Sequence, residues 1–215
     1  MPVDLDEISR HIERNIGPIH IVFHEIISDD FHIDVHHVKS TFLRRYEVLV
    51  TSGMSARAMN VPSDQQRQRF AEMLVVLPRG WPLNHSDFAD ERNYWPIRLI
   101  KTLARFPHQA DTWLGFGHTV ANGESEGGAI PYADNTELCA AAILPPSTLG
   151  ESTWCLRSST GEDVLFWAAV PLYTDELKFK MEHGVDSLLD LFDKYKVTDR
   201  IDPRRICVVP KQTAA

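Results

Sequence analysis

Cysteine is scarce in this chain, which holds three in 215 residues. Cys139, Cys155 and Cys207 are far apart, odd in number and free of any CxxC spacing. A disulfide-stapled secreted domain and a structural zinc site both need more cysteines at closer spacing. The sequence therefore predicts a protein of a reducing compartment.

Long apolar runs are also missing. The N-terminal stretch MPVDLDEISRHIERNIG is charged and amphipathic where a signal peptide would carry an apolar run. No other stretch approaches the ~18 consecutive apolar residues that a membrane-spanning helix needs. We therefore expect a cytoplasmic protein that does not enter a membrane.

Positive charge is in deficit, with 22 Lys and Arg against 30 Asp and Glu, which gives a net charge of −8 at pH 7. Such a chain repels polyanions on average, so nucleic acid and anionic membranes are disfavoured as partners. The same field attracts a basic protein. A cationic protein partner is therefore favoured.

The common catalytic motifs are absent or misplaced. The chain has no HExxH zinc motif and no GKS or GKT phosphate loop. Residues 115–117 read Gly-Phe-Gly, but the third glycine of a dinucleotide fingerprint is missing. Residues 123–127 fit GxSxG, yet Ser125 lies between two glutamates in a glycine-rich loop that we expect to be mobile over residues 123–135. We predict neither an enzyme nor a cofactor.

Hydrophobic periodicity predicts an α+β fold in a single domain over residues 1–215, with a central mixed β-sheet flanked by helices. Helices are predicted within residues 1–17, from Pro96 until Pro107 stops the helix, from a cap at Thr174 to residue 181, and over residues 188–195. Strands are predicted at residues 19–26, 32–38, 46–54, 72–78, 112–120, 137–146, 153–157, 164–173 and 205–209.

The first two strands form a predicted hairpin that is rich in histidine. Residues of the same parity share one face of a strand, so several imidazoles and one carboxylate could converge on a metal. The alternative is a solvated hairpin face, because the spacing does not aim the ligands at one point. We favour the second interpretation and predict no metal site for the residues His20, His24, His32, Asp34, His36 and His37.

Residues 106–122 are the predicted protein-binding surface. His118 and Thr119 follow two glycines at a strand end, where a polar pair can hold a ligand or a neighbouring loop. Aromatic residues near the helix that starts at Pro96 are typical of interface anchors, although they more often fill cores. The candidate binding residues are Phe106, Asp111, Trp113, His118 and Thr119.

Several longer segments occur together in an order that is far more specific than any short motif. They are LVTSGMS (49–55), EMLVVLP (72–78), YWPIRLIKTLARFPH (94–108), DTWLGFGHTVANG (111–123), VPLYTDEL (170–177) and HGVDSLLD (183–190). With these segments the chain resembles the Suppressor of fused domain family over residues 32–205. The resemblance implies an α+β lobe with a mixed sheet, and binding instead of catalysis.

Animal members of that family join this lobe to a second one and clamp a peptide as an extended strand between the two. The single-lobe members are similar to bacterial proteins, many of them proposed immunity proteins that neutralise toxins. The resemblance therefore implies an immunity protein whose partner is a basic toxin domain. Two alternatives stay open: an adaptor that binds an endogenous peptide by strand addition, and a metal-dependent enzyme that uses the histidine hairpin.

Overall fold

The computed structural model describes residues 3–25, 32–125 and 128–210. Helices and strands alternate irregularly along these residues. Their bounds are α1 (Leu5–Asn15), β1 (Ile19–Phe23), β2 (Asp34–Val38), β3 (Tyr46–Ser52), β4 (Phe70–Pro78), α2 (Glu91–Gln109), β5 (Thr119–Ala121), β6 (Glu124–Ser125), β7 (Gly128–Ala129), β8 (Ala140–Leu144), β9 (Cys155–Arg157), β10 (Asp163–Leu172) and α3 (Thr174–Tyr195).

Eight of the described strands form one sheet in the order β1-β2-β3-β4-β10-β8-β5, with β9 paired to β10. The β4–β10 pair is parallel, and the other neighbours are antiparallel. Strands β6 and β7 form a separate hairpin. The predicted α+β fold with a mixed central sheet is confirmed, and so is the antiparallel pairing of the first two strands.

The sheet buries apolar side chains on both faces, as expected for strands that carry helices on both sides. On one face α2 contributes Trp95 and Leu103 to a buried cluster. On the other face, Ile8 and Ile12 of α1 share a second cluster with Phe192 of α3. The four-residue spacing of Ile8 and Ile12 explains why α1 packs as a helix. No helix among the described residues is both long and apolar enough to span a bilayer.

The helix predicted to begin at Pro96 and stop at Pro107 is longer at both ends. It begins at Glu91, because the Asp90 side chain accepts a hydrogen bond from the Arg92 N–H and caps the first turn. Both prolines therefore lie inside α2. Pro107 lies in the last turn, and the helix ends two residues after it, at Gln109, where the Ala110 N–H donates to the Phe106 carbonyl.

One predicted strand is mostly a turn, and another does not form. Of residues 112–120, only the end from Thr119 is a strand, because Gly117 has a φ of +78° and the His118 N–H turns back to the Gly115 carbonyl. Residues 205–209 form no strand. Instead, the Val208 N–H donates to the buried carboxylate of Glu176, so this segment is held by a side chain.

The last two predicted helices both lie in α3, on either side of a break at Gly184. Thr174 is the first residue of α3, and its cap position is occupied by Tyr173 instead of the predicted Thr174. Gly184 has a φ of +85° and a ψ of 169°, and this non-helical backbone separates the two helical segments where the sequence predicts a break. A left-handed backbone of this kind favours glycine, so Gly184 can join two helical segments that diverge.

Candidate functional site

The structure places the five predicted binding residues in one stretch between the end of α2 and the start of β5. Phe106 and Trp113 are half-buried and pack against the core below α2. Asp111 is exposed and has a φ of +47°. His118 and Thr119 are half-buried, and Thr119 begins β5. The five residues therefore share a region, but the two aromatic side chains face the core.

Trp113 and His118 form a compact structural pair. Their ring centroids are 4.4 Å apart in an edge-on arrangement, and His118 Nδ1 is 3.3 Å from the Trp113 carbonyl oxygen. A Cβ on Gly115 would lie 2.4 Å from the Trp113 ring, so a glycine is required where the indole crosses the turn. Burial lowers the pKa of His118, which favours a neutral imidazole that donates from Nδ1 to this carbonyl.

Three large apolar side chains near β5 are exposed, and the sequence does not predict their exposure. Phe116 is 45% exposed, Ile130 44% and Met181 68%. The Thr119 hydroxyl lies 3.8 Å from the Met181 sulfur, so β5 and α3 meet at this rim. We call β5 with these three side chains the β5 surface. Apolar residues on a predicted helix are more often buried, so no sequence pattern identifies Met181.

The loop predicted to be mobile over residues 123–135 contains both the GxSxG serine and a packed segment. Ser125 lies in β6, which pairs with β7 and is not followed by the helix that a nucleophile elbow requires. Residues 126–127 lie outside the described part. Tyr132 and Ala133 are buried, and the Tyr132 ring stacks on Trp95 with centroids 5.0 Å apart. The end of this loop is therefore part of the core.

The histidine side chains of the hairpin lie in different environments, some exposed and others buried. His24 is exposed and contacts the Asp34 carboxylate at 2.9 Å. His36 and His37 are both buried, and as neighbours in β2 they point to opposite faces of the sheet. His32 is exposed. Among residues 3–25, 32–125 and 128–210, no group of three or more His, Cys, Asp or Glu side chains is placed to hold a metal ion.

His37 instead forms a buried pair with a carboxylate. Its Nε2 lies 2.9 Å from Glu47 Oε2, and both side chains are about nineteen-twentieths buried. Burial raises the pKa of Glu47, but hydrogen bonds from His37, Ser40 and Gly80 outweigh burial and hold that pKa below its usual range. Burial also lowers the pKa of His37. The neutral imidazole therefore donates its Nε2 proton to an ionised Glu47.

Protonation of His37 is expected to destabilise the fold. His37 Nδ1 is buried and has no hydrogen-bond partner among the described residues, so a second ring proton would find no acceptor. Because the folded-state pKa lies below the unfolded value, the unfolded chain binds more protons as the pH falls from 7 to 5.5. We expect the free energy of unfolding to fall by about 1 kcal/mol from this residue.

Urea unfolding at pH 7 and pH 5.5 measures this contribution by comparison with His37→Gln. The glutamine amide still donates to Glu47 but does not titrate. We expect the variant to lose less stability between the two pH values than the parent chain. An equal loss in both proteins would show that other groups, such as the buried His11 and His36, carry the pH dependence.

Comparisons with known proteins agree with this architecture. The family described as Suppressor of fused protein (SUFU) matches residues 29–206. A putative SUFU homolog from Neisseria gonorrhoeae superposes with a TM-score of 0.66 at 16% identity, covering 96% of this chain and 97% of that one. A chain of the Sufu-Fu complex gives a TM-score of 0.63 at 16% identity, with coverage of 96% and 93%.

The Suppressor of fused of Drosophila superposes with a TM-score of 0.59 at 13% identity, and the match covers 96% of this chain but 50% of the Drosophila one. A comparison with curated proteins finds no match. These structural similarities establish the fold, and the family match extends over most of the sequence. The chain therefore belongs to the Suppressor of fused protein (SUFU) family.

Proposed function

We propose that this chain is a non-catalytic, single-domain protein-binding module that acts in the cytoplasm as an immunity protein, neutralising a bacterial toxin. The observation that carries the proposal is the β5 surface, where an open sheet edge lies beside exposed apolar side chains. The partner would contact the stretch around residues 106–122, in which the sequence places Asp111, His118 and Thr119.

The open edge supplies the binding groups. β5 pairs with β8 on one side and has no strand on its other side among the described residues. The His118 carbonyl and the Asn122 N–H both bond to the β8 side. Because bonding alternates along an antiparallel strand, the backbone groups of Thr119 and Ala121 point away from β8. Such groups can pair with an extended segment of a partner.

The exposed side chains supply apolar contact area next to that edge. Phe116, Ile130 and Met181 surround β5, and a Phe or Met side chain that becomes fully buried at an interface contributes about 1.5–3 kcal/mol. The net charge of −8 favours a basic partner. The three cysteines are free thiols, which is compatible with a reducing cytoplasm.

The similar structures support the proposal in two ways, through their length and through a complex that includes one of them. The chain covers 97% of the Neisseria gonorrhoeae homolog and 50% of the Drosophila protein, and this coverage supports the proposed single-domain module. Another structure of the same fold is a Sufu-Fu complex. We therefore propose that this chain also binds a protein partner.

A second candidate function is an adaptor that binds a peptide of its own cell. The edge position of β5 favours this candidate as well, because strand addition needs no feature specific to a toxin. Partner identity separates the two functions. An immunity protein suppresses the toxicity of its partner on co-expression, whereas an adaptor recovers an endogenous protein and protects against no toxin.

Affinity capture from the native host, followed by mass spectrometry and co-expression of each partner, tests the proposal. We expect one stoichiometric basic partner whose toxicity is suppressed. Phe116→Ser and Met181→Ser should weaken binding by at least about tenfold, since each removes exposed apolar area of the β5 surface. The matched control is Leu43→Ser, because Leu43 is 92% exposed on a different turn.

Equal binding by all three variants would reject the β5 surface as the contact region. A partner that binds through this surface but has no toxicity would establish the adaptor. Circular dichroism of each variant checks that the fold is retained, which we expect because the substituted side chains are exposed.

A further inference from the structure

The turn between β2 and β3 carries two large apolar side chains in solvent. Phe42 is 88% exposed and Leu43 is 92% exposed, the highest values for large apolar side chains in the described residues. Isolated exposed apolar residues are common, but these two are adjacent and almost wholly exposed. Covering both side chains would remove apolar surface from water, so the pair favours contact with a partner.

Hydrogen bonds fix the shape of this turn. The Thr41 N–H donates to the Arg44 carbonyl at 2.8 Å, and the Thr41 hydroxyl accepts from the Arg44 N–H at 3.0 Å. Phe42 and Leu43 are therefore the two central residues of a tight turn, and they project from its tip.

The segment around the tip is basic. Residues 39–45 include Lys39, Arg44 and Arg45 and no acidic residue. The Arg44 guanidinium donates to the backbone carbonyls of Ile16 and Lys39, which are neutral groups, so its charge stays uncompensated. Within the described ranges, none of these three cations forms an ion pair.

A further cation comes from the segment after α3. The guanidinium groups of Arg44 and Arg200 both lie over the Tyr46 ring, at 5.8 and 5.7 Å from its centroid. Arg200 is exposed, so it adds its charge to the same end of the sheet. We call the two apolar side chains and the three arginines the basic turn, which comprises Phe42, Leu43, Arg44, Arg45 and Arg200.

The acidic side chains beside the basic turn compensate it only in part. Glu47 and Asp199 are 4% and 3% exposed, and both accept hydrogen bonds from within the fold. Asp87 lines a groove together with Lys39 and offsets the charge of that lysine. The three arginines remain, so the surface beside the apolar tip is positive on a protein whose net charge is −8.

The size and shape of the tip favour a lipid surface over a protein. A stable protein interface buries about 800 Å² on each partner. An aromatic side chain supplies about 150–250 Å², so two side chains on a projecting turn fall well short of that area. A bilayer accepts such a tip, because one Phe and one Leu can enter the boundary between head groups and acyl chains while nearby cations face the lipid phosphates.

We propose that the basic turn docks this protein on the anionic surface of a lipid bilayer, with Phe42 and Leu43 inserted among the head groups. The net charge of −8 opposes an anionic membrane on average, so contact is confined to this turn and the acidic remainder faces away. Docking at the surface needs no membrane-spanning helix. Three strands separate β3 from β5 in the sheet, so the β5 surface stays open to a protein partner.

Co-sedimentation with vesicles tests the proposal. We expect the full chain to bind vesicles of equal parts phosphatidylglycerol and phosphatidylcholine at least about tenfold more tightly than vesicles of phosphatidylcholine alone, and rising salt should weaken this binding. Phe42→Ser and Leu43→Ser should each weaken it by at least about tenfold, whereas Phe42→Trp should retain it. Arg45→Gln should weaken it by about fivefold, the contribution of one cation near an anionic surface.

The matched control is Met181→Ser, because Met181 is 68% exposed but belongs to the β5 surface. This variant should bind vesicles as the parent chain does. Equal binding to both kinds of vesicle would overturn the proposal, and so would unchanged binding by Phe42→Ser and Leu43→Ser. Binding to poly-glutamate beads as tight as to the anionic vesicles would also overturn it, because it would show that negative charge is recognised without a bilayer.

Discussion

Glu72→Ala is expected to lower the free energy of unfolding by about 4 kcal/mol. Glu72 is completely buried in β4 and accepts four hydrogen bonds. Two come from the hydroxyls of Thr51 and Ser55 at 2.6 Å, and two come from the backbone N–H groups of Gly53 and Ser55 at 3.0 Å. Alanine would leave these buried donors without an acceptor and would open a cavity.

The carboxylate holds a turn whose backbone requires glycine at residue 53. Gly53 has a φ of +126°, and a Cβ there would lie 2.2 Å from the His32 carbonyl oxygen. The Thr51 hydroxyl also accepts from the Met73 N–H, so the network joins β3 to β4. Burial raises the pKa of Glu72 in spite of the four donors. The hydrogen bonds therefore do not fully offset the cost of removing this carboxylate from water.

Urea unfolding monitored by circular dichroism measures the effect. Glu72→Gln should lower the free energy of unfolding by about half as much as Glu72→Ala. The amide oxygen still accepts hydrogen bonds, whereas the amide nitrogen faces a donor and cannot accept from it. Glu182→Ala is the matched control, since Glu182 is 70% exposed and its removal should change stability by less than about 0.5 kcal/mol. A loss below about 1 kcal/mol in Glu72→Ala would contradict the assigned role.

Arg205→Ala is expected to cost about 3–5 kcal/mol, the range observed when one partner of a buried ion pair is removed. Its guanidinium donates to both oxygens of Glu176, which is fully buried at the start of α3, and to the Pro171 carbonyl. It also stacks over the Tyr173 and Phe192 rings. Without Arg205, the donors left to Glu176 within the described part of the chain would be the N–H groups of Tyr173 and Val208.

A double-mutant cycle with Glu176→Gln separates the pair from its surroundings. The double variant should be less destabilised than the sum of the two single variants, because the second substitution removes the charge that the first leaves unpaired. Arg204→Ala, at the neighbouring exposed position, is the control and should change stability by less than about 0.5 kcal/mol. Strictly additive losses would show that Arg205 and Glu176 act independently.

Local hydrogen exchange adds a spatial readout to the Arg205 experiment. Arg205 is the link between α3 and the segment after it, so faster exchange is expected at the Val208 N–H and little change in β2. Uniform acceleration across the sheet would instead indicate a global effect.

The strands and helices were predictable because their signal is local. Apolar residues at a spacing of four identify α1, and the Val- and Leu-rich stretch from residue 72 identifies β4. Helix ends depend on capping side chains, which the spacing of apolar residues does not reveal. Asp90 caps α2 six residues before Pro96, and the helix continues for two residues beyond Pro107.

The buried polar groups were not predictable, since their partners are distant in sequence. Glu72 and Glu176 lie in segments that carry the family resemblance, yet glutamate is usually exposed and nothing in a single sequence shows the donors around it. Arg205 lies in a stretch that alternates like a strand and is instead bound to Glu176. In the candidate site the stretch 106–122 was identified, but the exposed Ile130 and Met181 come from other segments.

The parallel pairing of β4 with β10 has a consequence for how the chain is made. Strands β1 to β4 are neighbours in both sequence and sheet, so they can pair as soon as they leave the ribosome. The partner on the other side of β4 lies roughly 90 residues later, which requires a slow loop closure. Until β10 is synthesised, the apolar strand FAEMLVVLP has one open edge. That interval is when the nascent protein is most exposed to aggregation and to chaperone capture.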